Sequence, residues 1–175
     1  QEGFERTVVF ANKRETVQHL SGKLYAAEIP CAWLEGKMHQ DKRNSAIDRL
    51  RTGHVKVLVA TDVAARGLDI DDITHVINFD MPRKADIYLH RIGRTGRAGN
   101  KGTAISLVEA HDMHVISKIE RYMDERLARR NIPGLKPQYK ESKVALKKPK
   151  IKLTTSQKKA KAKKQAKRAI KKKKS

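Results

Sequence analysis

Residues 90–99, with the sequence HRIGRTGRAG, combine a histidine and three arginines with three glycines. A guanidinium carries a planar fork of donors that suits phosphate oxygens, and glycine lets the backbone come close to a ligand. Because a buried charge without a partner is very costly, these side chains need an anion. We predict that they bind the polyphosphate of a nucleotide; the alternative is a solvated basic loop with surface ion pairs. The residues concerned are His90, Arg91, Arg94 and Arg97.

The segment LVATDVAARGLDI, residues 58–70, supplies a second candidate group. A predicted strand ends at Ala60, after which Asp62 is placed to cap a short helix of sequence VAAR. Gly67 breaks that helix, and the carboxylate of Asp69, which follows it, can accept hydrogen bonds from ribose hydroxyls. The alternative interpretation is a strand, a cap and a helix without any ligand.

Residues 35–50, EGKMHQDKRNSAIDRL, form the third candidate group. Gln40 and Arg43 lie three residues apart at a predicted helix start, so they share one face of the helix. The N-terminus of a helix with an arginine nearby is a suitable phosphate site. A capped amphipathic helix with a charged surface explains the same residues without a ligand.

The sequence contains no G-x-x-x-x-G-K-[ST] phosphate loop, and no acidic Mg²⁺ motif follows a predicted strand. His111 and His114 form H-x-x-H without a further ligand cluster, so we predict no metal site. The chain therefore has arginines that can bind a terminal phosphate but lacks the loop that would cradle it. This combination indicates half of a site that is shared with another domain. Arginines supplied in this way from one domain to another are worth about 10³–10⁵ in rate.

Apolar runs rich in β-branched residues alternate with helical patterns along the chain. Because these runs are apolar on both faces, they predict an α/β fold, a parallel sheet with helices on both faces. Ligands bind such sheets at the carboxyl ends of the strands, where polar residues follow the predicted strands. Strands are predicted at residues 7–11, 31–35, 56–61, 75–80 and 102–108. The first predicted helix runs from Asn12, its cap, with Glu15 as the capping-box partner, to Pro30. The others run from Gln40 to Gly53, over residues 85–92, and from His111 to Arg130.

The net charge of +21 is distributed unevenly. Residues 1–135 hold 22 Lys and Arg against 18 Asp and Glu, whereas residues 136–175 hold 18 against one. We predict a globular domain over residues 1–135 and a disordered, Lys-rich tail over residues 136–175, which lacks the apolar side chains to fold alone. The tail is expected to attract RNA regardless of base sequence. A solubilising end and a targeting signal are the alternatives.

The single cysteine, Cys31, excludes an intrachain disulfide and fits a reducing compartment. No apolar run approaches the roughly 18 residues of a membrane span, so we expect a cytoplasmic protein that does not bind a membrane. The chain begins at Gln1 rather than at a methionine, which indicates a piece of a longer protein.

Over residues 7–130 the chain resembles the C-terminal RecA-like domain of DEAD-box RNA helicases. VVFANKRE is similar to the fourth motif of that family, and Gln40 with Arg43 to its following Q-x-x-R. ATDVAARGLDI is similar to the fifth motif and HRIGRTGRAG to the sixth, and both are long and specific. YLHRIGRTGRAGNKGTAISLVEAHD, together with LEG at residues 34–36, further resembles a bacterial branch associated with assembly of the large ribosomal subunit.

The resemblance implies an ATP-dependent RNA helicase, in which ATP with Mg²⁺ is held mainly by an N-terminal RecA-like domain outside these residues. Arg94 and Arg97 would reach the γ-phosphate of that ATP. His90 and Arg91 would bridge to the acidic motif of the N-terminal domain and couple domain closure to hydrolysis. Without the phosphate loop, this chain alone is expected to show little or no ATPase activity.

The resemblance also implies how ribose and RNA are held. Asp69 would contact the ribose of ATP, with Gly67 close to the nucleotide. The partner would be RNA, including structured or ribosomal RNA. Its backbone would be bound through phosphate and 2′-hydroxyl groups while a short duplex is melted. The residues implied along the RNA are Gly36, Arg43 and Thr61, with Arg66 and Gln40 in support.

Two other hypotheses account for the same motifs. In one, the chain is a non-catalytic RNA-binding module whose arginines only hold phosphates. In the other, it belongs to a DNA-directed helicase of the wider superfamily. We favour the RNA helicase because the fifth and sixth motifs match the sequences typical of the RNA helicase family closely.

Overall fold

Five strands form one parallel sheet in this computed structural model, which describes residues 5–67, 70, 73–96, 99, 101–132 and 134. The strands are β1 (Thr7–Phe10), β2 (Cys31–Leu34), β3 (Val57–Ala60), β4 (His75–Asn78) and β5 (Thr103–Ser106). Their order in the sheet is β2-β3-β1-β4-β5, and every pairing is parallel. The predicted parallel sheet is confirmed, although each strand ends at least one residue earlier than predicted.

Four α-helices of the described residues accompany the sheet. They are α1 (Arg14–Ala26), α2 (Gln40–Arg51), α3 (Ala85–Ile92) and α4 (Met113–Met123), the last preceded by a 3₁₀ turn at Ala110–Asp112. Gly53, with a φ of +79°, follows Thr52, the C-cap residue of α2. A left-handed residue just after a helix favours glycine, so the predicted stop of this helix at Gly53 is confirmed.

Adjacent residues of β1 point to opposite faces of the sheet, and a different helix covers each face. Val8 packs in an apolar cluster that includes Leu50 of α2. Val9 packs in another cluster that includes Val17 of α1. The predicted arrangement of helices on both faces is therefore confirmed.

The start of α1 differs from the prediction that Asn12 caps it. The helix begins at Arg14, with Lys13 at its N-cap position, and this end is exposed to solvent. The side chain of Asn12 donates from Nδ2 to the carbonyl oxygen of Met81 at 2.9 Å and accepts a hydrogen bond from Arg91. A buried guanidinium needs acceptors, whereas water can satisfy an exposed helix end, which explains the difference.

The last helix, α4, is shorter than predicted. It ends at Met123 instead of near Arg130, because Asp124 takes a left-handed φ of 54° that stops the helical run. Leu127, beyond this point, still packs against the apolar side chains between α3 and α4. Apolar spacing in the sequence therefore continues past the end of the helix.

Several predictions fall outside the described residues. They include the tail at residues 136–175, the domain boundary beside it, and the two site residues Asp69 and Arg97. Among the helices that are described, none has the length and apolar character needed to cross a bilayer.

Candidate functional site

The carboxyl ends of three neighbouring strands bring polar residues together. β3, β1 and β4 are adjacent in the sheet, and Asp62, Asn12 and Asp80 follow their ends. The main-chain N–H of Asn12 donates to the carboxylate oxygen Oδ2 of Asp80 at 2.8 Å. Parallel α/β sheets bind ligands at this edge, so the fold places these polar residues where the sequence predicts a site.

Arg91 lies at the centre of this edge, and only 1% of its surface is exposed. Its Nε and Nη2 donate to the two carboxylate oxygens of Asp62 at 2.6 and 2.8 Å. Nη2 also donates to Oδ1 of Asn12 at 2.8 Å. Nη1 donates to Oδ1 of Asn78 at 3.2 Å and to the carbonyl oxygen of Asp80 at 2.7 Å. We call these five residues the Arg91 cluster.

The resemblance implies that Arg91 bridges to another domain, which stays a prediction; the contacts described here are those within its own domain. Its guanidinium is fully engaged inside its own fold, and it also lies over the ring of Phe10, 5.2 Å from the ring centre. A charge removed from water is tolerated only when its donors are satisfied, and here the acceptors come from three loops and a strand. Arg91 therefore fixes the relative positions of the loops at the carboxyl edge.

The contacts of Asp62 differ from those of the helix cap that the sequence suggests. Its carboxylate is committed to Arg91, and the residues that follow form a turn instead of a helix. Thr61 organises that turn: its carbonyl oxygen accepts from the N–H of Ala65 at 2.9 Å, and its Oγ1 accepts from the N–H of Ala64 at 3.4 Å. We refer to residues 61–67 as the 61–67 turn.

Arg43 supports the same turn from α2. Its Nη1 donates to the carbonyl oxygen of Ala64 at 2.6 Å, and its Nη2 to that of Arg66 at 2.9 Å. Gln40 lies on the same helix but donates to Oδ1 of Asn44 at 2.8 Å and is exposed. The two residues that the sequence pairs on one face therefore make different contacts, and Arg43 is the one tied to the 61–67 turn.

Two glycines shape the surface around the 61–67 turn. Gly67 has a φ of +68°, a backbone conformation that residues other than glycine rarely adopt. A Cβ on Gly36 would lie 3.8 Å from Cγ1 of Val63, so the loop after β2 runs beside the turn after β3. The structure thus gathers Gly36, Arg43, Thr61 and Arg66 in one region, with Arg66 exposed.

The segment after α3 is anchored on two sides. Thr95 donates from its hydroxyl to the carbonyl oxygen of Ile73. A Cβ on Gly102 would collide with the side chain of Thr95 and the backbone of Gly96, so only glycine allows the two stretches to cross. His90 is exposed at the end of α3 and Arg94 is half-buried just beyond it.

Sequence reasoning missed one member of the Arg91 cluster, Asn78, which was part of a predicted apolar strand. Asn12, Asp62 and Asp80 were among the polar residues expected at the strand ends, although Asn12 also resembled a helix cap. The available signal was Asn78 itself, because an amide inside a strand that is buried on both faces needs a specific partner. Asn78 is fully buried, and it contacts both Arg91 and the hydroxyl of Ser106.

Burial raises the pKa of the Cys31 thiol, an effect that nearby Arg49 and a hydrogen bond involving Ser21 partly offset. Burial likewise raises the pKa of the Tyr88 hydroxyl, with partial compensation from Ser106. Both groups therefore keep their protons at neutral pH. Within the described residues, no group of three or more His, Cys, Asp and Glu side chains is arranged to hold a metal ion.

Comparison with known proteins places this geometry in a family. Residues 1–99 match the family model described as Helicase conserved C-terminal domain. The ATP-dependent RNA helicase SrmB of Haemophilus influenzae is 57% identical over 138 residues, which are 79% of this chain and 31% of that protein. SrmB of Escherichia coli K12 is 60% identical over 132 residues, or 75% of this chain and 30% of that protein. The chain thus spans about a third of the length of these curated relatives.

A solved structure shares the fold. The crystal structure of the E. coli DEAD-box protein SrmB bound to regulator of ribonuclease activity A (RraA) superimposes with a TM-score of 0.77 at 56% identity. The match covers 81% of this chain and 84% of that one. The RecA-like fold and the resemblance to DEAD-box helicases are both confirmed.

Proposed function

The chain belongs to the DEAD-box family, as a helicase conserved C-terminal domain, and from this premise we propose that it is the C-terminal half of an ATP-dependent RNA helicase. The observation that carries the proposal is at the carboxyl edge of the sheet. There the turn that contains the fifth motif and the segment that contains the sixth are joined through Arg91 and Asp62. A single edge of this domain can therefore serve both a nucleotide and RNA.

On the nucleotide side, Arg94 and Arg97 contact the γ-phosphate of ATP held on the N-terminal domain. When bound, ATP supplies the phosphoanhydride bond that is hydrolysed, and its Mg²⁺ is held mainly by that other domain. The anchoring of Thr95 to the carbonyl of Ile73 supports this assignment, since a fixed loop presents an arginine without reorganisation. His90, exposed at the end of α3, faces the N-terminal domain.

The ribose of ATP lies against the end of the 61–67 turn. Gly67 supports this placement because its positive φ leaves the backbone open to close approach. Asp69 accepts hydrogen bonds from the ribose hydroxyls.

On the RNA side, the loops after β2 and β3 follow the phosphate backbone. Exposed Arg66, Gly36 and half-buried Thr61 make the contacts, with Gln40 beside them. Arg43 holds two carbonyl groups of the turn, which supports a role beneath the RNA contact surface as well as on it. Contacts to phosphates and 2′-hydroxyls make this binding largely independent of base sequence.

The experiment that tests the function measures RNA-stimulated ATP hydrolysis by the full-length protein. We expect Arg94→Ala to lower kcat about 10³-fold while RNA affinity is retained. Arg83→Ala, at an exposed arginine just before α3, is the matched control and should keep the kcat of the parent. Unchanged turnover in Arg94→Ala would instead favour the non-catalytic RNA-binding module. Equal stimulation by DNA of the same sequence and length would favour a DNA-directed helicase.

The resemblance in sequence to a bacterial branch associated with assembly of the large ribosomal subunit, together with the basic tail, supports a narrower role in that process. In this role the tail tethers ribosomal RNA through its 18 basic residues against one acidic residue. Deletion of residues 136–175 should weaken RNA binding and flatten its salt dependence, with the log–log slope falling by about 0.7 for each phosphate that the tail neutralises. Crosslinking of the full-length protein to cellular RNA, followed by sequencing, identifies the target and would exclude this role if ribosomal RNA were not enriched.

The solved relative also supports a protein partner. E. coli SrmB was crystallised with RraA, and we extend that partnership to an RraA-like regulator for this chain. Co-sedimentation of the full-length protein with such a regulator tests it, and separate sedimentation at micromolar concentrations would contradict it.

A further inference from the structure

Strand β2 lies at one edge of the sheet and carries an exposed tryptophan. Within the described residues, β2 pairs with β3 alone. Trp33, the only tryptophan of the chain, keeps 44% of its surface exposed, whereas its neighbours Ala32 and Leu34 are buried. Tryptophan has a large apolar ring system and is enriched where a protein binds a partner. The ring of Trp33 therefore makes the outer edge of β2 a candidate binding surface.

Apolar side chains of α1 and of the loop before β2 extend this surface. Cys31 lies on the same face of β2 as Trp33, and its thiol donates to the carbonyl oxygen of Ser21 in α1 at 3.7 Å. Tyr25, one helical turn beyond Ser21, is 81% exposed, and Ile29 is exposed as well. Two aromatic rings thus lie on opposite sides of the contact between Cys31 and Ser21. We call Tyr25, Ile29 and Trp33 the β2-edge surface.

The carboxylate nearest to Trp33 along the strand is neutralised within the domain. Glu35 accepts a hydrogen bond from Nε2 of Gln18 at 2.9 Å, and its Oε2 lies 3.8 Å from Nε of Arg14. The side chain of Glu35 is 20% exposed, whereas that of Arg14 is 46% exposed. At this end of the β2-edge surface, a ligand therefore meets the cation more than the carboxylate.

A second cation lies beside the strand, and an acid lies at its far end. Burial raises the pKa of the Cys31 thiol, and Arg49 of α2 partly offsets this effect, so the guanidinium lies near β2. Arg49 is exposed. Glu28, beside Ile29, is also exposed and would repel a phosphate. Phosphates are therefore favoured along β2 itself and disfavoured before its start.

The strand leads directly into the loop that is proposed to contact RNA. Gly36 follows β2 closely, and Lys37 next to it is exposed. With a rise of about 3.3 Å per residue, Trp33 lies roughly 10 Å from Gly36. Stacked nucleotides of one strand are about 3.4 Å apart, so RNA that leaves Gly36 reaches Trp33 within about three nucleotides. The β2-edge surface therefore continues the proposed RNA path along the outer edge of the sheet.

We propose that the β2-edge surface is an additional RNA subsite, on which unpaired bases stack against Trp33 and Tyr25. Arg14 and Arg49 bind the phosphates between these bases. The inference rests on the proposed function, because the loop of Gly36 has to deliver the RNA to the strand. Stacking on aromatic rings is tolerant of base identity and is typical of single-stranded RNA recognition.

Charge and position favour RNA over a protein at this surface. With a net charge of +21, two copies of the chain repel each other. The tail at residues 136–175 is strongly basic, so the same arginines repel it. An acidic protein would match the charges, but only RNA also explains why the aromatic side chains continue from the loop of Gly36.

The first test uses the fluorescence of the 175-residue chain, in which Trp33 is the only tryptophan. The crystallised SrmB chain, of which the match covers 84%, has nearly the same extent, so this domain can be studied by itself. A base that stacks on the indole quenches its emission. We expect single-stranded oligouridine of about 12 nucleotides, a length within the range of single-stranded binding sites, to quench Trp33 as it binds. Unchanged emission at saturating RNA would contradict the inference.

The second test measures the affinity of the same chain for this RNA, labelled with fluorescein, by anisotropy. Trp33→Ala and Tyr25→Ala should each lower the affinity about 5–150-fold, the range for the loss of one stacked base. Trp33→Phe keeps an aromatic ring and should stay within about threefold of the parent. Tyr122→Ala is the matched control, because Tyr122 is 63% exposed on α4, and it should leave the affinity unchanged.

Salt dependence separates stacking from phosphate contacts. Arg49→Gln should reduce the log–log slope of affinity against salt concentration by about 0.7, whereas Trp33→Ala should leave the slope at the parent value. Arg83→Gln, at an exposed arginine before α3, is the matched control and should also leave it unchanged. Equal slopes in Arg49→Gln and the parent would exclude Arg49 from the subsite.

Parent affinity in both Trp33→Ala and Tyr25→Ala would overturn the inference and leave the surface to a protein partner. If Trp33→Ala unfolds the chain, Tyr25→Ala decides, because a side chain exposed on the outside of α1 can be removed without loss of the fold. The proposed function fails in a different way, namely when the full-length protein shows no RNA-stimulated ATP hydrolysis. Quenching and affinity in the 175-residue chain are measured without ATP and do not depend on that result.

Discussion

Helix α3 takes part in two regions that are built by opposite means, the contacts between α3 and α4 and the Arg91 cluster. The first is apolar and is formed by the buried side chains of Met81, Tyr88, Val115, Ile116 and Ile119. The second buries a guanidinium almost completely and surrounds it with carboxylate, amide and carbonyl oxygens. One region excludes water from hydrocarbon, and the other excludes water from a charge.

This difference indicates what each region contributes. Apolar burial is non-directional and stabilises by roughly 25 cal/mol for each Å² removed from water. Hydrogen bonds to a guanidinium have fixed directions, so they define where each loop lies, but burying an ion pair adds little net stability over an apolar replacement. The apolar region therefore mainly stabilises the domain, while the Arg91 cluster mainly sets the geometry of the site.

The largest stability effect is expected when one partner of the buried ion pair is removed. Asp62→Ala leaves the guanidinium of Arg91 buried without its counter-charge, which should lower the free energy of unfolding by about 4 kcal/mol. Urea denaturation measures this change. Asp48→Ala, which breaks an exposed ion pair with Arg51 at 3.2 Å, should change the same quantity by less than about 1 kcal/mol. Equal effects of the two substitutions would remove the contrast between buried and exposed charge.

In the apolar region, Ile119→Ala should lower the free energy of unfolding by roughly 3 kcal/mol, because Ile119 is fully buried between α3 and α4 and its truncation leaves a cavity. At a temperature where the variant remains folded, its RNA-stimulated kcat should match that of the parent. A stability loss accompanied by a large fall in kcat would show that this region also positions the site.

A smaller effect is expected at Gly67, whose φ is +68°. A Cβ there meets nothing within 4 Å, so Gly67→Ala should lower the free energy of unfolding by about 1 kcal/mol through backbone strain alone, as measured by urea denaturation. The matched control is Gly22→Ala inside α1, where a Cβ also meets nothing within 4 Å. Gly22→Ala should raise the free energy of unfolding by about 0.5–1 kcal/mol. Effects of the same sign at both positions would contradict the assigned backbone conformation.

The smallest expected effect concerns the thiol of Cys31. Because burial raises its pKa, the folded protein should react with iodoacetamide more slowly at pH 8 than the urea-unfolded chain does. The folded state holds this proton more tightly than the unfolded state, so stability from this group is present at neutral pH and declines as the pH rises through the raised pKa. Equal alkylation rates for folded and unfolded protein would argue against the shift.

The fold was largely predictable because its signals are local. Five β-branched apolar runs and the helical patterns between them predict a parallel sheet with helices on both faces, and the structure confirms this. The ends of elements were less predictable. Asp124 stops α4 by a backbone conformation, although Leu127 continues the apolar spacing.

The candidate site was predictable in its residue types and in its location at the carboxyl edge. The partners of Arg91 were not, because they are far away in the sequence: Asn12 is 79 residues from it and Asp62 is 29. Asp62 and Asn12 both have local alternatives as helix caps, which the sequence alone does not distinguish from a place in the cluster. Only the assembled sheet brings the strand ends close enough for one guanidinium to use them all.

The most direct test of the division between stability and positioning replaces the ion pair by apolar side chains of similar volume, in the full-length double variant Asp62→Leu/Arg91→Met. Its free energy of unfolding should lie within about 2 kcal/mol of the parent. Its RNA-stimulated kcat should nevertheless fall roughly 10–100-fold, because the loops lose their fixed positions. A double variant as stable as the parent that also keeps the parent kcat would contradict the account, since the Arg91 cluster would then have no part in arranging the site.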